Sequence, residues 1–302
     1  MPRRKNPADP RRTEQGLPAS RHLDRMTAAQ IVRLMNREDR KVARAVQRQL
    51  PQIAKAVDAI VKSLRSGGRL IYVGAGTSGR LAILDAAECP PTFGISASQI
   101  QALIAGGKAA ITGAVEGAED SAKNGASDLR KIKLNRKDAV VGIAASGTTP
   151  YVLAALQYAK QRKATTVALT ANRNSALAKK AHIVIAPDAG PEVLSGSTRL
   201  KAGTSQKMVL NMLSTASMVR LGHSYENLMI DVAMSNKKLR QRGVRILAEA
   251  SGQSMSAAEH ALRQSGHSLR AALIMLKRRV TAMEAGKKLI NAKGNLRKAL
   301  IS

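Results

Sequence analysis

Short apolar runs alternate with stretches of helical period along most of this chain. Leu70-Ile71-Tyr72-Val73 is the first run that fits a buried strand. It breaks into Gly74-Ala75-Gly76-Thr77-Ser78-Gly79 and resumes at helical period from Arg80 to Ala87. Ala139 to Ala145 is a second buried-type strand, followed by the turn Ser146-Gly147-Thr148-Thr149. Pro150 then suits the first turn of a helix reaching about Gln161. Thr165–Leu169 and His182–Ala186 read as further strands, with a short helix from Leu177 to Ala181 between them. Gln101 to Ala105 is a short apolar stretch closed by Gly106-Gly107. Such alternation predicts an α/β fold, a parallel sheet with helices on both faces.

The flanks are helical. Thr27-Ala28-Ala29-Gln30 has the capping-box form and opens a helix through Ile31, Val32, Leu34 and Met35. A second helix runs from about Arg40 through Val42, Val46, Ile53, Val57, Ile60 and Leu64, divided or kinked at Pro51. Glu88-Cys89-Pro90-Pro91-Thr92 is expected to end the helix after the first strand. A polar segment, 190–207, leads into an apolar helix from Met208 to about Leu221. Three helical runs punctuated by Gly252 and Gly266-His267-Ser268 read as a small bundle over 246–302. Residues 1–22 are polar and rich in Pro and Arg, which predicts a disordered basic arm, and 23–245 form the main domain.

Composition narrows the partners. Aromatic residues make up 2% of the 302 residues, with one Phe, four Tyr and no Trp. The core must be aliphatic, and base stacking is a poor binding mode for this chain. The net charge is +30, concentrated at the ends: thirteen Lys/Arg against five Asp/Glu in 1–48, and fifteen against three in 237–302. Without aromatic interleaving or a DNA-binding motif, a solvated basic surface is favoured over a nucleic-acid partner. Cys89 is the single cysteine, so no disulfide framework forms within the chain. No apolar h-region follows Met1-Pro2-Arg3-Arg4-Lys5 and no run approaches eighteen apolar residues, so the chain reads as cytoplasmic with no membrane partner. His22, His182, His223, His260 and His267 have no metal-site spacing, and no metal is expected. There is no GxSxG and no clear Ser/His/Asp set.

The candidate chemistry sits at the two glycine turns. Strand, glycine turn and helix aim backbone N–H groups and the positive end of a helix dipole at an anion. Thr77 and Ser78 add hydroxyls at one turn, Ser146 and Thr149 at the other. One such turn is more often a tight connection; two in one sheet favour a phosphorylated ligand held between them. Neither turn is GxGxxG or a Walker A, so a sugar phosphate fits better than NAD or ATP. The cluster Glu116, Glu119 and Asp120 reads either as a helix N-terminus or as the source of a general base.

The segments LIYVGAGTSGRLAILDAAECPPTFG, LIAGG, AVEGAEDS, VVGIAASGTTPYV, GPEVLSGSTRLKAGTSQKMVLNMLST and NLMIDV carry a resemblance. In this order they resemble the N-acetylmuramic acid 6-phosphate etherase family, within the sugar isomerase (SIS) fold group and related to the glucokinase regulatory protein. The resemblance covers nearly everything from Leu23 onward. It implies a SIS phosphosugar-binding domain over 23–245 and no cofactor. It also implies cleavage of the C3 lactyl ether by elimination and water addition, yielding N-acetylglucosamine 6-phosphate and D-lactate in the recycling of cell-wall amino sugar. By motif, Glu88 in AAECPPT matches the acid and Glu119 in EGAED the base. The leaving lactate must be protonated, which requires a carboxyl that keeps its proton near neutrality.

Ser146, Gly147 and Thr149 are implied to hold the phosphate, with Ser78 near the sugar or phosphate; Thr77 is a candidate substrate contact by its place in the same turn as Ser78. The family's usual SGRTP loop has Thr148 in place of its Arg here, for which Arg199 or Lys201 are candidate replacements. Glu88 lies eleven residues beyond Thr77, about 16 Å along a helix. One site is therefore expected to combine residues of two subunits of a homodimer. Two other readings stay open: a non-catalytic phosphosugar sensor with a protein partner, and a DNA-binding regulator with a SIS effector domain. Presence of both Glu88 and Glu119 favours the enzyme.

Overall fold

The computed structural model describes residues 9, 11–234 and 236–301. Its elements run α1 Ala28–Gln47, α2 Leu50–Arg65, β1 Leu70–Gly74, α3 Gly76–Phe93, β2 Ile100–Ile104, α4 Ala109–Thr112, α5 Ala122–Lys131 and β3 Ala139–Ile143. They continue α6 Pro150–Gln161, β4 Thr165–Leu169, α7 Ala176–Lys180, β5 Ile183–Ile185, α8 Lys201–Leu221, α9 Lys237–Ser251, α10 Met255–Gln264, α11 Leu269–Arg278, α12 Ala282–Asn291 and α13 Leu296–Ile301. Two compact units result: residues up to Ala87 with Ala97–Ser217, and Glu88–Ser96 with Met218–Ser302. The expected boundary at 246 falls inside α9. Of the expected disordered arm, 1–8 and 10 lie outside the described residues; over 11–22 the chain instead makes two 3-10 turns, and Thr13 is buried.

The first unit holds a five-stranded, all-parallel sheet of order β2-β1-β3-β4-β5. Every residue of β1 and β3 is buried, as strands covered on both faces require. Ile71, Val73 and Val140 pack with Leu129, Tyr151, Val152 and Leu156 of α5 and α6. At one end of the sheet buried Asp138 accepts from Arg69 N at 2.9 Å and pairs with the Arg69 guanidinium at 2.7 Å, tying the starts of β1 and β3. Leaving β1 the chain turns toward β2, and leaving β3 toward β4. The strand order therefore reverses between β1 and β3, which opens a crevice beyond their carboxyl ends.

Several local expectations need correction. The polar run Asn36-Arg37-Glu38-Asp39 does not interrupt α1, which is one helix; the break comes at 48–49, and Pro51 sits in the first turn of α2. The Thr27 capping box forms, with Thr27 Oγ1 accepting from Gln30 N at 3.3 Å. Pro90 and Pro91 lie inside α3 rather than ending it. Their carbonyls are still used: Pro90 O accepts from Gly94 N and Pro91 O from Ala233 N. The apolar stretch near 101–105 is strand β2, and α8 starts seven residues before the apolar run predicts.

Helix α8 packs on α3 through polar pairs. Tyr72 donates to Asp85 at 2.9 Å, and Asp85 accepts from Asn211 at 2.7 Å and Ser214 at 3.0 Å. The Glu192 carboxylate caps α8, accepting from the backbone N–H groups of Lys201 and Ala202. Burial nevertheless pushes its carboxyl above the ordinary range. Lys201, a candidate anion-binding residue by sequence, is 1% exposed and points elsewhere: its ammonium meets Glu38 at 2.9 Å and Ala189 O at 3.0 Å. Burial alone would raise the Glu38 carboxyl, but the ammoniums of Lys41 and Lys201 outweigh it and hold it low.

In the second unit Leu247, Leu262, Leu269, Leu273, Ile274 and Leu296 form an aliphatic core. Asp231 joins its ends, pairing with Arg270 and with His223 Nδ1 at 2.8 Å, while Arg270 also donates to Gly222 O. Burial would raise the Asp231 carboxyl; the hydrogen bonds from Arg270 and His223, with the Arg270 charge, prevail and lower it.

Two outcomes follow. Lys201→Ala strands the buried Glu38 carboxylate beside Lys41 alone and is expected to cost about 3 kcal/mol of stability, read by urea unfolding. Asp231 has a folded pKa below its unfolded value, so its contribution is complete above about pH 4 and falls away as the pH drops through the folded value. Asp231→Asn is accordingly expected to lower the unfolding midpoint at pH 7 and to lose much less than the wild type between pH 5 and pH 3.

Candidate active site

The two glycine turns flank the crevice at the end of the sheet. After β1, Gly74 must be Gly because a Cβ there would stand 2.7 Å from Gly79 N. This tight path lets α3 begin at once, with Gly76 at φ 51°. Ser78 is buried and donates to Gln206 Oε1 on α8 at 2.9 Å. After β3, the chain passes Ser146, Gly147 and Thr148 before Thr149 precedes Pro150 at the start of α6. Ser146 Oγ accepts from Thr148 N at 3.2 Å and Thr148 Oγ1 at 3.0 Å, which leaves its own O–H to donate. Asn172 braces this loop from below, donating to Ala145 O and Ser146 O, both at 3.1 Å.

A cavity of about 530 Å³ lies between the turns. Thr77, Ser78, Ser146, Thr149 and Glu119 line it together. Glu119 arrives on the 3-10 turn Ala118–Asp120, which Gly117 enters in the left-handed conformation at φ 69°. Gly147 shapes the second turn without itself lining the cavity. Three more expected residues are not in it. Lys201 is committed to Glu38; Arg199 is exposed at the start of α8 and does not line the cavity; Glu88 is exposed on α3, in the second compact unit.

The cavity wall also holds Arg11, Glu14, Asp120 and Thr198, none of them assigned a site role from sequence by itself. Asp120 adjoins the expected base, so its signal was the acidic cluster already noted. Thr198 lies in the polar segment before α8. Arg11 and Glu14 had no local signal, because the Pro/Arg-rich composition around them reads as an unfolded tail. Among the described residues no group of three His, Cys, Asp or Glu could hold a metal ion, and no helix is long and apolar enough to cross a membrane.

Comparison with known proteins matches this arrangement to defined families. The glucokinase regulatory protein N-terminal SIS domain matches residues 52–160, the SIS domain 122–216, and the C-terminal lid domain of glucokinase regulatory protein 226–272. Three N-acetylmuramic acid 6-phosphate etherases are similar over most of the chain. That of Serratia proteamaculans is 52% identical over 94% of this chain and 95% of its own. That of Clostridium beijerinckii is 50% identical over 92% of each. The second such etherase of Vibrio cholerae is 51% identical over 94% of this chain and 92% of its own. Identity at this level, end to end and across both compact units, means that the chain belongs to the N-acetylmuramic acid 6-phosphate etherase family.

Proposed function

We propose that this protein cleaves the lactyl ether of N-acetylmuramic acid 6-phosphate, giving N-acetylglucosamine 6-phosphate and D-lactate, as a carbon–oxygen lyase. Close relatedness to the etherases supports the reaction. The observation that carries the chemistry is one cavity at the β1/β3 crevice that holds both hydroxyl-rich turns and the Glu119 carboxylate. The turns suit the phosphate: Ser146 has an uncommitted O–H, Thr149 and the start of α6 face the same space, and Thr77 and Ser78 line the side of β1.

In the open-chain sugar the C1 aldehyde acidifies the proton at C2. Glu119 takes that proton, the C–H electron pair becomes the C2–C3 double bond, and the C3–O bond breaks. Glu88 gives its proton to the departing lactate oxygen. Water then adds to C3, returning a proton to Glu88 as the C3–O bond forms, while C2 recovers a proton from Glu119. One water is consumed and both carboxyls end as they began.

Glu88 stands about 16 Å along α3 from Thr77, by helical rise alone. We therefore assign it to the site of a second subunit, so that the working enzyme is a homodimer, acting in the cytoplasm.

Run in heavy water, the wild type is expected to release D-lactate and to leave deuterium at C2 of the product. Tight sugar-phosphate binding with neither event would turn the reading toward a sensor. Glu119→Gln is expected to lose both lactate release and C2 exchange by roughly 10²–10⁴-fold. Glu88→Gln is expected to lose lactate release by a similar factor while still exchanging C2 of N-acetylglucosamine 6-phosphate. Mixing the two inactive variants tests the dimer, since shared sites would restore part of the activity and sites within one chain would restore none.

A further inference from the structure

The charge balance of the cavity is wrong for its ligand unless one residue near the N-terminus is counted. The Ser146–Thr149 loop offers hydroxyl and N–H groups but no formal positive charge. Three carboxylates, Glu14, Glu119 and Asp120, line the same space. A phosphate dianion with a lactyl carboxylate adds further negative charge. Among the described residues lining the cavity, Arg11 is the sole cation.

We infer that Arg11 is the phosphate-pairing cation of this site, delivered by residues 11–15 acting as a strap across its mouth. This rests on the phosphosugar reading above. The strap is held at several points. Arg12 N donates to Asn172 Oδ1 at 3.0 Å, and Arg12 Nε meets Asp188 at 3.1 Å. Ser195 Oγ reaches the carbonyl of Gln15 at 3.4 Å. Asn172 is the residue that also braces Ala145 and Ser146, so one side chain sets the strap against the phosphate loop.

The guanidinium itself is pre-aimed. Asp9 grips one edge of it, accepting from Nε at 2.9 Å and from Nη2, and this pairing brings the Asp9 carboxyl down to about 2. The remaining nitrogen, Nη1, reaches Thr148 Oγ1 at 3.4 Å, at the long end for a hydrogen bond. Thr148 in turn donates to Ser146 Oγ. A phosphate oxygen entering beside Ser146 would take the Nη1 donor from Thr148 at little cost, since the bond it replaces is weak. Thr148 is thereby the partner that positions the arginine beside Ser146. The cation comes from a distant part of the chain, 137 residues away, rather than from the loop or the start of α8.

The test uses the full-length protein, with inorganic phosphate as the probe by calorimetry and lactate release for turnover. Arg11→Ala and Arg11→Gln are expected to weaken phosphate binding about ten- to hundredfold. KM for the phosphorylated substrate should rise in step, with kcat changed less than about threefold. Arg11→Lys should recover part of the loss, and the salt dependence of phosphate binding should flatten in the neutral variants. Arg11→Gln keeps a donor within reach of Thr148 and guards against a result that reflects a detached strap. Phosphate affinity within twofold of wild type in both neutral variants would overturn the assignment. So would a loss confined to kcat. If the wild type released no lactate while both variants lost phosphate binding, the etherase reading would fail and the role of Arg11 would stand.

Discussion

At Gly147 there is no room for a side chain: a Cβ would stand 2.3 Å from the Ser175 hydroxyl oxygen and 2.8 Å from Thr170 Oγ1. The close passage of this loop over the start of α7 is the constraint on which the phosphate side depends. Gly147 holds φ 72°, a left-handed value that costs little only without a Cβ. The turn reverses so tightly that Leu177 N can reach Gly147 O, and α6 starts three residues later. Gly74 and Gly79 impose the same closeness on the other turn, where Gly79 also meets Ile104 of β2. The cavity is thus shaped by where backbone approaches backbone, and the side chains that line it are set by those approaches.

Much of this frame is legible in the sequence because its signals are local. β1, β3 and β4 are apolar runs bounded by glycine or polar turns, and their limits lie within two residues of the expected ones. Both glycine turns and the acidic cluster are visible as motifs, and the structure brings their residues to one cavity. What the sequence hides is long-range. Glu38 looks like part of a polar break in a helix; it is buried at 3% exposure because Lys201 of a distant helix meets it. That pairing accounts both for the unbroken course of α1 and for the Lys201 ammonium being turned to Glu38.

Other misses have the same origin. The Pro90-Pro91 pair is a stop signal by local sterics, yet α3 runs through it to Phe93, and the distant Ala233 N–H bonds the Pro91 carbonyl. Helix α8 begins in a polar stretch because Glu192 caps its first N–H groups and because Ser78 donates to its Gln206 while Asp85 accepts from its Ser214. Arg11 and Glu14 sit in a segment with the composition of a loose tail, and only Asn172, Asp188 and Ser195, far along the chain, hold it in place. Composition measures what a segment can bury by itself, so it fails where other parts of the fold supply the partners.

The strap has a practical side. Arg12, whose backbone and side chain anchor the strap, is exposed and follows another arginine, so the strap offers a cutting point to a trypsin-like protease. The rate of cutting there reports how firmly the strap is seated, separately from turnover.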